Sequence, residues 1–370
     1  MNQRDDFLRD RLGYAPTSAP PAPPPQPAPA QPPQPPTTAP QPPHDGRPAD
    51  QWTYGEIQPV PAGRPPRPQP GRGWRRFVFA ATFGLVNLGP SPAERQEAEF
   101  EATIATAFRG SYKVGVLGKG GVGKTSVAAS VGSIFAQLRR ADRVVAVDAD
   151  TAFGRLSSRV DPAAPSSYWD LATDKNLESF ADVSARVGNN AAGLYVLAGE
   201  PATGRRRVID AALYREAALR LDRHFTISII DCGSTMDAPV TQEALRDLDA
   251  LIVVSSPWAD AASAAAKTME WLADRGQTDL LQRTVVVLND SDGHADKRTR
   301  SVLTQQFHSH GQAVVEVPFD PHLRPGGVID VASEMAPETR GKFLQIAAIV
   351  AQHFATRPPR ESGPTSAEQS

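Results

Sequence analysis

Between residues 113 and 318 the chain alternates two hydrophobic patterns. Short unbroken apolar runs occur at "KVGVL" (113–117), "RVVAVD" (143–148), "GLYVLAG" (193–199), "FTISIID" (225–231), "ALIVVSS" (250–256), "RTVVVLN" (283–289) and "AVVEVP" (313–318). Unbroken runs of this length suit strands buried on both faces, because a half-exposed strand alternates apolar with polar. Helically spaced stretches separate them, among them "KTSVAASVGSIFAQLRR", "VIDAALYREAALRLDRHF" and "ADAASAAAKTMEWLADRG". The last of these stops on Gly276, a residue suited to a helix C-terminus. A final helical pattern, "PETRGKFLQIAAIVAQHFA", closes the series. Strands alternating with helices predict an α/β domain with a doubly wound, mostly parallel sheet and helices on both faces. Its ligands belong at the carboxyl ends of the strands.

Outside this stretch the patterning changes. Residues 1–72 hold most of the 36 prolines and read as a disordered proline-rich tail. "APPAPPPQPAPAQPPQPP" has too few apolar side chains to offset the entropy of ordering and favours polyproline II. It suits either a docking arm for an aromatic-lined groove or a spacer. Residues 73–110 read as a connector. Its apolar run at 77–89 is shorter than the roughly 20 residues a membrane-spanning helix needs. It reads either as an element packed on the following core or as a helix that docks a partner or a membrane interface. "SPAERQEAEF" then gives a helix start, with Ser91 before Pro92 and Glu94 three residues on. The domain is expected over 111–356, followed by a polar tail at 357–370.

Composition excludes more than it assigns. A net charge of -2 removes the global basic field of a nucleic-acid or anionic-membrane binder. One cysteine, Cys232, allows no disulfide within the chain and fits a reducing cytoplasm. The first residues lack the apolar core of a signal peptide.

The chemistry is concentrated in "GKGGVGKT", residues 118–125. Its spacing is that of a phosphate-binding loop, set between a buried strand and an apolar helix. Glycines let successive N–H groups turn inward, and the helix N-terminus adds a partial positive charge. Gly118, Lys119, Gly120, Gly121, Val122, Gly123, Lys124, Thr125 and Ser126 are therefore expected to cradle a nucleotide triphosphate. Lys124 is expected to reach the β- and γ-phosphates and Thr125 to bind Mg²⁺. Asp231 ends a buried strand on the same sheet edge and is expected to hold Mg²⁺. Asp148 and Asp150 follow a neighbouring strand, with Asp148 a second candidate for the metal. Lys119 is a second lysine for which the loop itself offers no task.

At "KGGVGKT" the sequence resembles the deviant Walker A phosphate-loop ATPases, the MinD/ParA family. The resemblance continues through "VDAD" (147–150), "IIDCG" (229–233), "VVVLND" (285–290) and "VPFDP" (317–321). It implies ATP and Mg²⁺ as cofactors and an ATP-dependent sandwich homodimer, with Lys119 reaching the partner's phosphates. It further implies Asp150 as the switch I aspartate of hydrolysis and Asp231 as the switch II aspartate on Mg²⁺. Asn289 would read the adenine edge, with Pro318 and Asp320 near the base. Longer stretches, including "GWRRFVFAATFGLVNLGPSP" and "SIIDCGSTMDAPVTQEALRDLDALIVVSSPW", resemble the EspI-type ATPases that accompany type VII (ESX) secretion. That implies a slowly hydrolysing switch, cytoplasmic or peripheral at the inner membrane face, that docks secretion components through residues 1–110.

Departures from the wider family narrow the choice. "DTAFGRL" lacks the Pro-Gln-Gly that follows the switch I aspartate in partition proteins, and "TRPPRESGPTSAEQS" is not an amphipathic membrane helix. A single cysteine cannot supply the pair needed per subunit for a bridging iron–sulfur cluster. A non-hydrolysing adaptor and a DNA-positioning ATPase stay as alternatives, the second opposed by the net charge. Arg205–Arg207 suits a solvated turn or an anion contact, the His308/His310 pair lacks further ligands nearby, and Trp258 suits packing or a partner surface.

Overall fold

The computed structural model describes residues 81–82, 89–106, 110–151, 154–165, 167–199 and 209–354. The tails, most of the 77–89 run and Arg205–Arg207 lie outside them. The described strands are β1 (Tyr112–Gly118), β2 (Val144–Ala149), β3 (Gly188–Asn189), β4 (Tyr195–Leu197), β5 (Ile227–Cys232), β6 (Ala250–Ser255), β7 (Thr284–Asn289) and β8 (Ala313–Val317). They form one sheet in the order β3-β4-β2-β5-β1-β6-β7-β8. Every pairing is parallel except β3 with β4.

The unbroken apolar strands bury both faces, as their pattern requires. On β6, Ala250, Ile252 and Val254 face one apolar cluster and Leu251 and Val253 the other. The helices Lys124–Leu138 and Pro337–Phe354 cover the first face. The helices Ala211–Asp222, Ala259–Asp274 and Lys297–Ser309 cover the second.

One predicted strand is shorter than its apolar run. Instead of 193–199, β4 occupies only Tyr195–Leu197. The Asn190 carboxamide oxygen accepts from the N–H of Ala192 (3.1 Å) and Leu194 (3.0 Å), and Gly193 has φ +86°. This side-chain-stapled turn consumes the start of the run and folds β3 back antiparallel.

The helix Pro92–Ala105 starts where "SPAE" predicts. Glu94 N–H donates to Ser91 Oγ (3.2 Å) and Ser91 N–H to Glu94 Oε2 (2.6 Å), a reciprocal cap. Its other end is fastened to the domain core. Ile104 is fully buried there, and the buried Arg139 guanidinium donates to the carbonyls of Ile104 (2.6 Å) and Thr106 (2.7 Å). Asp142 neutralises Arg139 at 2.6 Å. Arg139→Met is expected to lower unfolding free energy by about 2 kcal/mol, since charged hydrogen bonds are lost and two carbonyls are stranded. Urea denaturation monitored by circular dichroism measures this, and a change within about 0.5 kcal/mol, the usual range for a neutral surface substitution, contradicts it.

Candidate functional site

Register places the chemistry on one edge of the sheet. Asp148 on β2 pairs with Asp231 on β5, Val116 on β1 also pairs with Asp231, and Gly118 pairs with Val254 on β6. The loop after β1, the ends of β2 and β5, and Asn289 at the end of β7 therefore share the carboxyl edge.

The loop needs glycine at defined points. A Cβ on Gly118, at φ +150°, would overlap the Val254 carbonyl, and one on Gly123, at φ +94°, would overlap the Asn289 carboxamide. The helix Lys124–Leu138 begins at once, aiming its N-terminal N–H groups back at the loop. Lys124 is nearly buried, and its Nζ donates to the Lys119 carbonyl at 3.4 Å, so its charge stays inside its own loop. The Lys119 side chain takes another course. Its half-exposed ammonium pairs with Asp260 in the first turn of the helix Ala259–Asp274. That pair holds the Asp260 carboxyl below its usual range.

The carboxylates differ sharply in surroundings. Asp231 is buried; burial lifts its carboxyl to about 6, against a hydrogen bond from Thr125 and the nearby Lys124 charge. Its Oδ1 is buried without a hydrogen-bond partner among the described residues. An orphaned carboxylate oxygen beside a threonine hydroxyl and a phosphate loop fits a hard divalent cation such as Mg²⁺. Asp148 is fully buried, and burial followed by the neighbouring Asp231 charge raises it to about 8. Oδ2 accepts from Leu156 N–H (3.0 Å) and Oδ1 from Asp150 N–H (3.2 Å). Gly154 packs so closely on this carboxyl that a Cβ there would overlap it. Backbone N–H groups thus reach both oxygens of Asp148, the second residue the sequence offers for the metal, and tie that carboxyl to the backbone of Asp150 and Leu156. Asp150 itself is half-exposed beside Gly233 at the end of β5.

A hollow of about 150 Å³ continues from the loop between Gly123, Ser126, Asn289, Pro318 and Phe319. Asn289 Nδ2 donates to the Val122 carbonyl at 2.9 Å, tying this hollow to the phosphate loop. Asp320 also borders the hollow, but its two oxygens accept from His322 N–H and Ala336 N–H, both at 2.9 Å. It shapes the loop after β8 with its carboxylate already satisfied. Arg159 reinforces that loop from the other side, donating to the Leu323 carbonyl at 3.1 Å. Sequence reading misses Arg159, Phe319 and Asp260. Asp260 carries only the signal of an acid in a first helical turn, and the β1–β6 adjacency brings it to Lys119.

A family model for the CobQ/CobB/MinD/ParA nucleotide binding domain matches residues 116–325. The chain belongs to this family of nucleotide-binding ATPases. It is 33% identical over 286 residues to the ESX-1 secretion-associated protein EspI of Mycobacterium tuberculosis, in both strains CDC 1551 and H37Rv. The alignment covers 76% of this chain and 42% of the relative, so the chain spans less than half the length of the curated relatives it matches. In fold it is similar to a ParA family ATPase from Chlorobium tepidum, at 20% identity and TM-score 0.52, covering 64% of this chain and 98% of that one. It is likewise similar to the cell division ATPase MinD of Pyrococcus furiosus, at 20% identity and TM-score 0.50, covering 65% and 98%.

The buried acids set a pH dependence. The folded Asp148 carboxyl, at about 8 against 3.8 normally, keeps a proton that the unfolded chain releases. Its stabilising contribution is complete below about pH 4 and is lost as pH rises towards 8. The melting temperature of nucleotide-free protein in chelator should fall from pH 5 to pH 8, and Asp148→Asn should flatten that fall. Scanning calorimetry reads the slopes, and equal slopes for the two proteins contradict the assignment.

Proposed function

We propose that the chain is a slow ATP switch: it binds ATP with Mg²⁺, pairs with a second copy across the nucleotides, and separates after hydrolysis. The supporting observation is the division of labour between two lysines. Lys124 turns into its own loop, while Lys119 points out of it and, among the described residues, is held by an exposed, readily exchanged ion pair with Asp260. A cation placed outside its own phosphate site suits a charge offered to the neighbouring subunit's triphosphate.

In this reading residues 118–126 wrap the phosphates, with Lys124 on the β- and γ-phosphates. Thr125 and Asp231 hold Mg²⁺, which supplies charge neutralisation on the phosphate oxygens. Asn289 and Pro318 border the adenine, with Asp320 fixing the loop behind it. Asp148 grips the backbone of Asp150, so that Asp150 is positioned to orient the attacking water. Lys119 from the second copy completes the charge stabilisation on which phosphoryl transfer depends.

The similarity to an ESX-1 secretion-associated protein supports a role in regulating or positioning a type VII secretion system. The proline-rich residues 1–72 and the connector at 73–110 would supply the docking arm to secretion components, with the ATPase domain at 111–356. A cytoplasmic protein, peripheral at the membrane through that complex, fits a chain in which no described helix is long and apolar enough to cross a bilayer.

Lys119→Ala decides the reading. It should keep ATP affinity within about threefold, since uniform ground-state binding rests on Lys124, yet lose ATP-dependent dimerisation and at least about tenfold in turnover. Light scattering after gel filtration, isothermal titration and phosphate release give the three readouts. Dimerisation and hydrolysis equal to the unsubstituted protein would falsify it, and absent turnover in the unsubstituted protein with intact ATP binding would point to the adaptor reading.

A further inference from the structure

Strand β8 is the outer edge of the sheet among the described residues. Asp290 N–H donates to the Val317 carbonyl at 3.0 Å, which sets the pairing phase with β7. In a parallel pair alternate residues bond to the neighbour, so Ala313, Val315 and Val317 face β7. The N–H and C=O groups of Val314 and Glu316 then point away from the sheet. Edges of this kind are usually blunted by proline, a bulge or a covering segment. Here the strand itself is the proline-free "AVVEV", and among the described residues no further strand pairs with it.

A cleft lies over this edge, between the helices Lys297–Ser309 and Pro337–Phe354. Two joined hollows of about 600 and 360 Å³ share Arg300, Thr304 and Glu316. Lys297 and Arg300 border it from one helix and Lys342 from the other, and none of the three takes part in an ion pair among the described residues. The Nε of Arg300 is buried without an acceptor among the described residues. Of the two acids that line the cleft among the described residues, Glu316 already accepts from Thr304 Oγ1 at 2.8 Å, and Glu338 lies one turn before Lys342 on the same helix.

We propose that β8 is a docking edge for an extended acidic peptide segment of another protein, which adds as a further strand and places carboxylates on Arg300 and Lys342. Main-chain pairing supplies the adhesion and the two cations the selectivity, as in other cases of strand addition. The inference does not rest on the nucleotide reading: the cleft shares Pro318 with the hollow beside the phosphate loop but none of that loop's residues.

The test uses the full chain with three fluorescein-labelled twelve-residue probes: repeats of Thr-Thr-Glu-Glu, whose adjacent glutamates face both sides of a strand, repeats of Thr-Thr-Lys-Lys, and the first probe with alternate amides N-methylated. Fluorescence anisotropy should show the first binding at least about tenfold tighter than the other two, the size of one charge-assisted contact. Saturation with it should slow exchange of the Val314 and Glu316 amides by about tenfold or more, as pairing within a sheet does. The double variant Arg300→Gln/Lys342→Gln should lose that binding while keeping its melting temperature and ATP affinity. Equal binding of acidic and basic probes, no binding, or unchanged exchange at both amides overturns the proposal. Concentration-dependent protection of those amides without peptide also overturns it, assigning the edge to a second copy.

Discussion

Asp148 and Asp231 sit side by side on neighbouring strands, fully or almost fully buried, a few residues from a loop built to hold anions. Two carboxylates cannot both be ionised in such a place without compensation, and each is lifted well above its usual range, to about 8 and about 6. The site is the set of compensations. Backbone N–H groups of Asp150 and Leu156 satisfy Asp148, while Thr125 and Lys124 partly satisfy Asp231 and leave Oδ1 open. One acid thereby becomes a fixed peg for the loop carrying Asp150, and the other keeps an oxygen free for a cation.

The sheet makes this arrangement unavoidable. A parallel sheet buried on both faces admits polar groups only at strand ends, and its register puts the ends of β2, β5 and β1 next to each other. The same adjacency, one strand further, sets β6 beside β1 and brings Asp260 to Lys119. Lys119 is thus controlled from a helix that the phosphate loop never contacts in sequence. Its exposure on the carboxyl edge is what separates it from Lys124, whose burial keeps it within its own loop.

Much of this was legible in the sequence where local chemistry and periodicity coincide. "KVGVLGKGGVGKT" announces strand, loop and helix within a few residues, and "SPAE" announces the cap of the helix Pro92–Ala105. Contacts between distant elements were not legible. Lys119 and Asp260 are 141 positions apart, and Arg139 reaches back 35 positions to Ile104. Nothing local marks these residues as partners. Asp148 shows a subtler gap. Its position at a strand end is visible in "VVAVD", but the backbone N–H groups of Asp150 and Leu156 that reach its oxygens are not. Asn190 likewise shortens β4 through side-chain hydrogen bonds that an apolar run does not reveal.

The central claim is that Lys119 works on the nucleotide of the other copy while Asp150 works on its own, and mixing two inactive variants tests it directly. In a mixed dimer of Lys119→Ala and Asp150→Ala, one site receives its own Asp150 and the partner's Lys119. Steady-state phosphate release from an equimolar mixture should then rise well above that of either variant alone. Random pairing sets a ceiling of about a quarter of the unsubstituted rate, and the weaker pairing of Lys119→Ala keeps the yield below it. A mixture as inactive as either variant alone would contradict the account and place Lys119 in its own loop.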